Sequence, residues 1–554
     1  MKTQPHKQPN IQHVENTTQP AVTGTDINTT DINTTDIDTT DIYDAHGLVK
    51  SRFDQLSLLQ TVWVFKRVIL VTLAVYTGYV CEGFELGAGG SIVANAGFIK
   101  QFGTNGGENG VRALDPTWLS TWSALLNVGQ IVTFTHVAWF ADKFGRKPSF
   151  YLAWAWLVIG CILLNTATTP AVWAIAKLCN GAGVGVLQVV CQVYVMEISP
   201  NRIRGGMVTF QAVWGNIGGI ICSVMMQQLN QTYPDNYLLA MRILWAPLGL
   251  MILCWVFMPE SPWYYALKGD KERAMKAMVQ LYGGIEGYNF EGEYGTVART
   301  IEHEREVLQA APSCLHVFQG LNLKRTLTVM LLAVSQQLVG LAIIGTYSTY
   351  FFSLAGLQDP FLGTVILSCC NLLAVILWSL STDKLGRRRI INTCETFICV
   401  ILFTVGGLYW TGATTGNAAA GTALLVICCL WTFSFQIIAL SYYLYSAELP
   451  SALLRVKTGP ITFFANSIFG IATCYATPPM LLSLGVRAGL VFGAFSIPVC
   501  ICMWLYLPET KSRSAAEIDE LYERKIPAWR WAETVTHAEA QMLAVVQEKS
   551  ALVD

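Results

Sequence analysis

Twelve apolar stretches, each long enough to cross about 30 Å of hydrocarbon, leave this chain few ways to fold. They run approximately over 68–98, 117–140, 149–167, 171–196, 206–228, 240–258, 326–353, 361–382, 390–411, 418–443, 459–482 and 487–507. In lipid, every backbone N–H and C=O must find a partner inside its own segment or in a closed barrel, so stretches of this length are helices. A polar stretch at 259–325, with amphipathic pieces such as Lys271 to Leu281, separates the sixth from the seventh. The expected fold class is an all-α membrane protein with twelve transmembrane helices in two six-helix halves. Its divisions are a tail over 1–60, a first half over 61–258, a central loop over 259–325, a second half over 326–507 and a tail over 508–554.

Composition narrows the function. Only 13% of the 554 residues are charged, about half the usual soluble share, and the formal net charge of −1 argues against a nucleic-acid partner. The sixteen cysteines lie mostly inside apolar runs with no metal-ligand spacing, so they read as reduced packing residues. No metal or cofactor is expected, and no nucleophile–base set points to an enzyme. Residues 1–60 carry a low-complexity repeat, Asp26-Ile27-Asn28-Thr29-Thr30 recurring at Asp31 and Asp36. Such a segment cannot bury a core and reads as disordered, with no cleavable signal peptide expected.

Loop charges set an orientation. The loops after helices 2, 4, 8 and 10 hold eleven basic residues: Lys143, Arg146, Lys147, Arg202, Arg204, Lys384, Arg387, Arg388, Arg389, Arg455 and Lys457. The opposite loops hold Lys100, Arg112 and Arg487, or four residues with Arg242. The basic face, the central loop and both termini are therefore expected in the cytoplasm. Asn230-Gln231-Thr232 then falls outside as the one plausible glycosylation site.

The two halves repeat. Asp142-Lys143-Phe144-Gly145-Arg146-Lys147 returns as Asp383-Lys384-Leu385-Gly386-Arg387-Arg388. Glu197 and Arg204 return as Glu448 and Arg455, and Pro259-Glu260-Ser261 as Pro508-Glu509-Thr510. Three motifs in the same order describe parallel six-helix repeats, the layout of a rocking transporter. Carboxylates at the helix ends suit bidentate guanidinium pairing. Asp142, Arg146, Glu197, Arg204, Asp383, Arg387, Glu448 and Arg455 are therefore expected to form a conformational latch that breaks when the basic face opens. The plainer alternative is positive-inside topology alone.

Inside the first helix, Glu82-Gly83-Phe84-Glu85 places two carboxylates three residues apart, roughly on one face. Ionised groups in hydrocarbon cost several kcal/mol on the order of the insertion scales, so they are rare away from ion or proton paths. Glu85 is expected to be the main proton carrier, with Glu82 a second site or its tuner. Lys177 in helix 4 is a candidate partner for Glu85. A satisfied structural pair is the alternative.

These residues resemble the sugar porter family of the major facilitator superfamily over roughly 65–520. The Asp-x-x-Gly-Arg loops are shared across the superfamily. Pro-Glu-Ser-Pro at 259–262, Gln336-Gln337-x-x-Gly340 and Pro-Glu-Thr-Lys at 508–511 are more specific to sugar porters. Glu82-Gly83-Phe84-Glu85, the run Ile344 to Phe351 and Glu448-Leu449-Pro450 are similar to the fungal maltose and α-glucoside proton symporters. The chain departs from these patterns. A third symporter carboxylate falls on Gln130, the family's helix 7 Asn on Ala342, its helix 10 Trp on Tyr443 and its helix 4 Arg on Lys177.

The resemblance implies a monomeric sugar importer of a fungal cell membrane, driven by protons, for an α-linked di- or oligosaccharide. A facilitative sugar or polyol uniporter is one alternative. A nutrient sensor is another, although only 47 residues follow position 507 in this 554-residue chain. Glutamine amides both donate and accept, as sugar hydroxyls require. The expected sugar ligands are Gln336, Gln337, Gln211 and Asn466, with Tyr347 and Tyr443 stacking on pyranose faces.

Overall fold

Proline and a capping side chain start two of the longest helices. Asp115 accepts from the Thr117 amide ahead of Pro116, and Thr169 accepts from the Val172 amide ahead of Pro170. Both arrangements satisfy amides that a helix N-terminus leaves open. The computed structural model describes residues 57–104, 112–310, 314–381, 386–411, 418–451, 454–511, 513 and 515–537. The repeat at 26–40 lies outside them.

Among the described residues, eleven spans are long and apolar enough to cross a membrane. The last of these, Lys457–Tyr506, contains two helices separated by the turn Gly485–Arg487, which makes twelve. We number them α1 Lys66–Ile92, α2 Pro116–Phe144, α3 Arg146–Thr166, α4 Pro170–Ile198, α5 Asn201–Thr232 and α6 Tyr237–Val256. The second six are α7 Gly320–Thr346, α8 Pro360–Ser381, α9 Arg387–Gly407, α10 Ala418–Glu448, α11 Arg455–Leu484 and α12 Ala488–Tyr506. Among its described residues, the polar connection carries three α-helices, Pro262–Leu267, Lys271–Tyr282 and Phe290–Ala310, and a 3-10 turn, Cys314–Phe318.

Each half buries its own core. One cluster of buried apolar side chains is built almost wholly from α1–α6 and the connection, from Phe65 to Tyr282. The other runs from Val329 to Trp531. Small residues let backbones touch inside the first half. A Cβ on Gly83 or Gly218 would collide with the facing helix of the α1–α5 pair, and one on Gly129 or Gly181 with that of the α2–α4 pair. The glycines around Asn180 are thus packing residues, a common use of small residues in membrane helices.

The halves meet mainly toward the face opposite the basic loops. Ser91 bonds Thr349 at 3.1 Å, Ser120 donates to the Tyr475 carbonyl at 2.6 Å and Ser223 bonds Ser368 at 3.1 Å. Toward the basic side, the Phe134 and Phe463 rings meet edge to face at 4.6 Å. Helix α7 is irregular where it reaches the centre. Gln337–Thr346 is wound as a π-helix, and Gly340 takes φ 91°, a left-handed conformation that suits glycine. The Trp431 indole donates to the Val339 carbonyl there at 2.9 Å, a partner for backbone displaced from the helical pattern.

Candidate substrate and proton site

Glu85 is 1% exposed, seven residues before the end of α1. The Lys177 ammonium donates to its Oε1 at 2.7 Å, and the Asn180 amide donates to the same oxygen at 2.6 Å. A buried carboxylate is tolerated when an opposite charge and further hydrogen bonds replace water. The expected Glu85–Lys177 partnership is therefore present between α1 and α4. Asn180 was not anticipated, although it lies three residues beyond Lys177 on the same face.

Glu82 has a different environment. It carries no ion pair among the described residues. Gln188 Nε2 donates to its Oε1 at 2.6 Å, while Glu82 Oε2, Gln188 Oε1 and the Tyr79 hydroxyl have no hydrogen-bond partner. Gln188 is a functional candidate the sequence reading missed. Its signal was its spacing: eleven residues after Lys177 is about three helical turns, the same face of α4. Tyr443 of the other half is 47% exposed and packs against Tyr442 with ring centroids 5.3 Å apart.

The amide candidates divide. Gln337 Nε2 donates to Asn466 Oδ1 at 2.6 Å, joining α7 to α11. Gln336 is nearly buried and its Nε2 has no partner, and Gln211 Oε1 on α5 is likewise free of one. Tyr347 needs correcting as a stacking residue. Its side chain is 1% exposed, and its hydroxyl donates to Ser123 at 2.6 Å and lies near the Leu119 and Cys474 carbonyls. It stitches the halves together, and its ring has no face left for a sugar.

The latch residues also need correcting. Arg146 Nη2 donates to Glu197 at 2.7 Å, and its Nη1 reaches the Ala141 carbonyl and Asp142. Arg387 pairs with Glu448. Each pair lies within one half, so it braces that half and does not bridge to the other. The pairs also stand intact in a structure whose halves meet on the face opposite the basic loops, the arrangement in which the latch is expected to break. Arg204 donates to the Ser199 carbonyl. Asp383 and the Arg455 side chain lie outside the described residues.

The third repeated motif has a clear physical role that was not foreseen. Glu260 accepts from the amides of Arg146 and Lys147 at 3.0 and 2.9 Å, and Glu509 from those of Arg387 and Arg388 at 3.1 Å each. A carboxylate thus caps the open N-terminus of α3 and of α9. Burial pushes the Glu260 carboxyl up from its ordinary range, opposed by the hydrogen bonds from the Ser261, Lys147 and Arg146 amides. Asn230 sits in the last helical turn of α5.

The description "Sugar (and other) transporter" matches residues 70–522. The chain belongs to that family. It is similar to the General alpha-glucoside permease of Saccharomyces cerevisiae, at 26% identity over 539 residues, covering 95% of this chain and 86% of that protein. It is also similar to the MFS transporter fmqE of Aspergillus fumigatus, at 25% identity over 484 residues, covering 84% and 89%. The High-affinity fructose transporter ght6 of Schizosaccharomyces pombe is 29% identical over 420 residues, covering 73% and 77%. The structure resembles the inward open conformation of the xylose transporter XylE from E. coli, with TM-score 0.66 and 18% identity, covering 82% of this chain and 99% of that one. This sugar transporter therefore has the major facilitator fold. In it, the Glu85–Lys177 pair belongs to the first half, and the Gln337–Asn466 pair to the second.

Proposed function

We propose that this sugar transporter imports an α-linked di- or oligosaccharide together with a proton, with the basic face and both termini in the cytoplasm. The observation that carries the reading is the buried Glu85–Lys177–Asn180 cluster. A carboxylate and an ammonium at 2.7 Å neutralise each other only while both are ionised. A proton arriving at Glu85 removes the anion and leaves Lys177 to find another partner. Helices α1 and α4 are then no longer tied at that point, which gives protonation a route to conformation. Glu82, with one free oxygen beside Gln188 and Tyr79, is a second acceptor for a proton or for a sugar hydroxyl. Similarity to the α-glucoside permease across 95% of the chain supports the substrate class.

A facilitative uniporter is the second reading. What favours it is that Glu85 Oε1 already holds an ammonium and an amide, so the cluster also serves as a structural pair, and that the relatives include a fructose transporter. A competition panel against uptake of one labelled disaccharide, at two external pH values, separates the two. Proton symport requires uptake to rise as external pH falls and unlabelled α-glucosides to compete best. Uptake indifferent to pH supports the uniporter, and competition by monosaccharides alone overturns the α-glucoside assignment.

A further inference from the structure

We propose that the transporter binds an anionic phospholipid of the leaflet on its basic face, in a pocket of about 580 Å³ between α1, α3, the end of α6 and helix Lys271–Tyr282. The pocket lies where membrane helices begin and end. Arg67 is the second residue of α1, Lys147 the second of α3, and Phe257 follows the last residue of α6. Three helix ends on one face mark the level of the lipid headgroups.

The chemistry suits a phosphodiester. Arg67 is exposed, lies against the backbone of Gly283 and Gly284, and makes no hydrogen bond or ion pair among the described residues. The Lys147 ammonium gives one hydrogen to the Val256 carbonyl at 2.9 Å, which leaves two. Gln280 adds an amide. The one carboxylate lining the pocket is Glu260, and its two oxygens are taken by the amides of Arg146, Lys147 and Ser261. Two cations against one satisfied carboxylate leave a positive pocket. Basic pockets at this level between membrane helices hold anionic lipid headgroups.

An apolar wall continues from the cations toward the membrane. Leu70 is 66% exposed and Phe257 is 86% exposed, both lining the pocket. A soluble phosphate would use the cations and leave this wall unused, whereas a phospholipid uses both. The proposal is independent of the sugar carried. Only the choice of leaflet follows from the cytoplasmic assignment of the basic face.

The test uses the purified full-length protein in detergent. Phosphatidylserine, phosphatidylcholine and inorganic phosphate are titrated separately, and the thermal midpoint is followed. Phosphatidylserine should raise the midpoint saturably, and phosphatidylcholine and phosphate should not. Arg67→Gln and Lys147→Met should each weaken apparent phosphatidylserine binding about fivefold, and together about 25-fold, at roughly one cation's worth of attraction each. Should the double variant fail to fold, the two single variants carry the test. Equal effects of the two lipids, an equal effect of free phosphate, or unchanged binding by the variants would overturn the proposal.

Discussion

At the scale of single residues, polar side chains inside the apolar helices carry the chemistry. Gln337 and Asn466 share a hydrogen bond at 2.6 Å between α7 and α11. If the pair presents its amides to the sugar, either one replaced by alanine leaves the other without its orienting partner and should weaken apparent sugar affinity about fivefold, worth about 1 kcal/mol. The double variant should be little worse than either single one, because both remove the same contact. Competition uptake assays measure this, and additive losses would mean that each residue acts alone. Glu395 on α9 offers a second prediction. Its side chain is buried and neither oxygen has a partner, and Asn392 one turn earlier is in the same condition. An ionised carboxylate in that setting would cost several kcal/mol, so a neutral amide of the same shape should serve there as well. Glu395→Gln should therefore keep surface expression and uptake near the natural level, while Glu395→Lys should lose both. Loss of expression in the Gln variant would show that the charge itself is needed. Neither residue was singled out by sequence, since a lone Glu in an apolar run does not reveal whether it faces a partner, a cavity or neither.

Among elements, the repeated motifs brace each half from within. Arg146 ties the end of α2, the start of α3 and the end of α4 through Ala141, Asp142 and Glu197, while Glu260 caps the same α3 terminus. Arg146→Ala strands Glu197 without its guanidinium, a loss of about 1.5–3 kcal/mol. We expect a thermal midpoint several degrees lower, with no change in which face of the cavity accepts a thiol reagent. A shift in labelling toward one face at an unchanged midpoint would restore the bridging role. The twelve helices and their order were legible in the sequence, because apolar length and the two-fold recurrence of three motifs leave little choice. Boundaries moved by a few residues, as at α1, expected over 68–98 and found over Lys66–Ile92. The π-wound section of α7 was not legible. Gly340 was visible, but the φ of 91° that it adopts follows from packing against the rest of the second half.

For the whole molecule, two cores with a polar seam suit halves that move as bodies. Ser91 and Thr349 touch across the seam on the face opposite the basic loops. Cysteines at both positions, in a background lacking the reactive native cysteines, should cross-link under oxidation, and transport should stop until a reductant is added. Transport that continues through a complete cross-link would mean that this contact does not open in the cycle. The sequence also indicated Glu82, Glu85 and Lys177, because charges in apolar helices stand out. It missed Gln188 and Asn180, whose role depends on which helices adjoin, and it misjudged Tyr347, whose hydroxyl is used between the halves. The most direct measurement follows sugar and protons together in proteoliposomes holding the natural protein or Glu85→Gln. Addition of an α-linked disaccharide should drive protons across with the sugar in the natural protein, while the variant exchanges sugar without moving protons. Sugar transport by the natural protein without proton movement, or proton movement retained by Glu85→Gln, would contradict coupling through the Glu85–Lys177 pair.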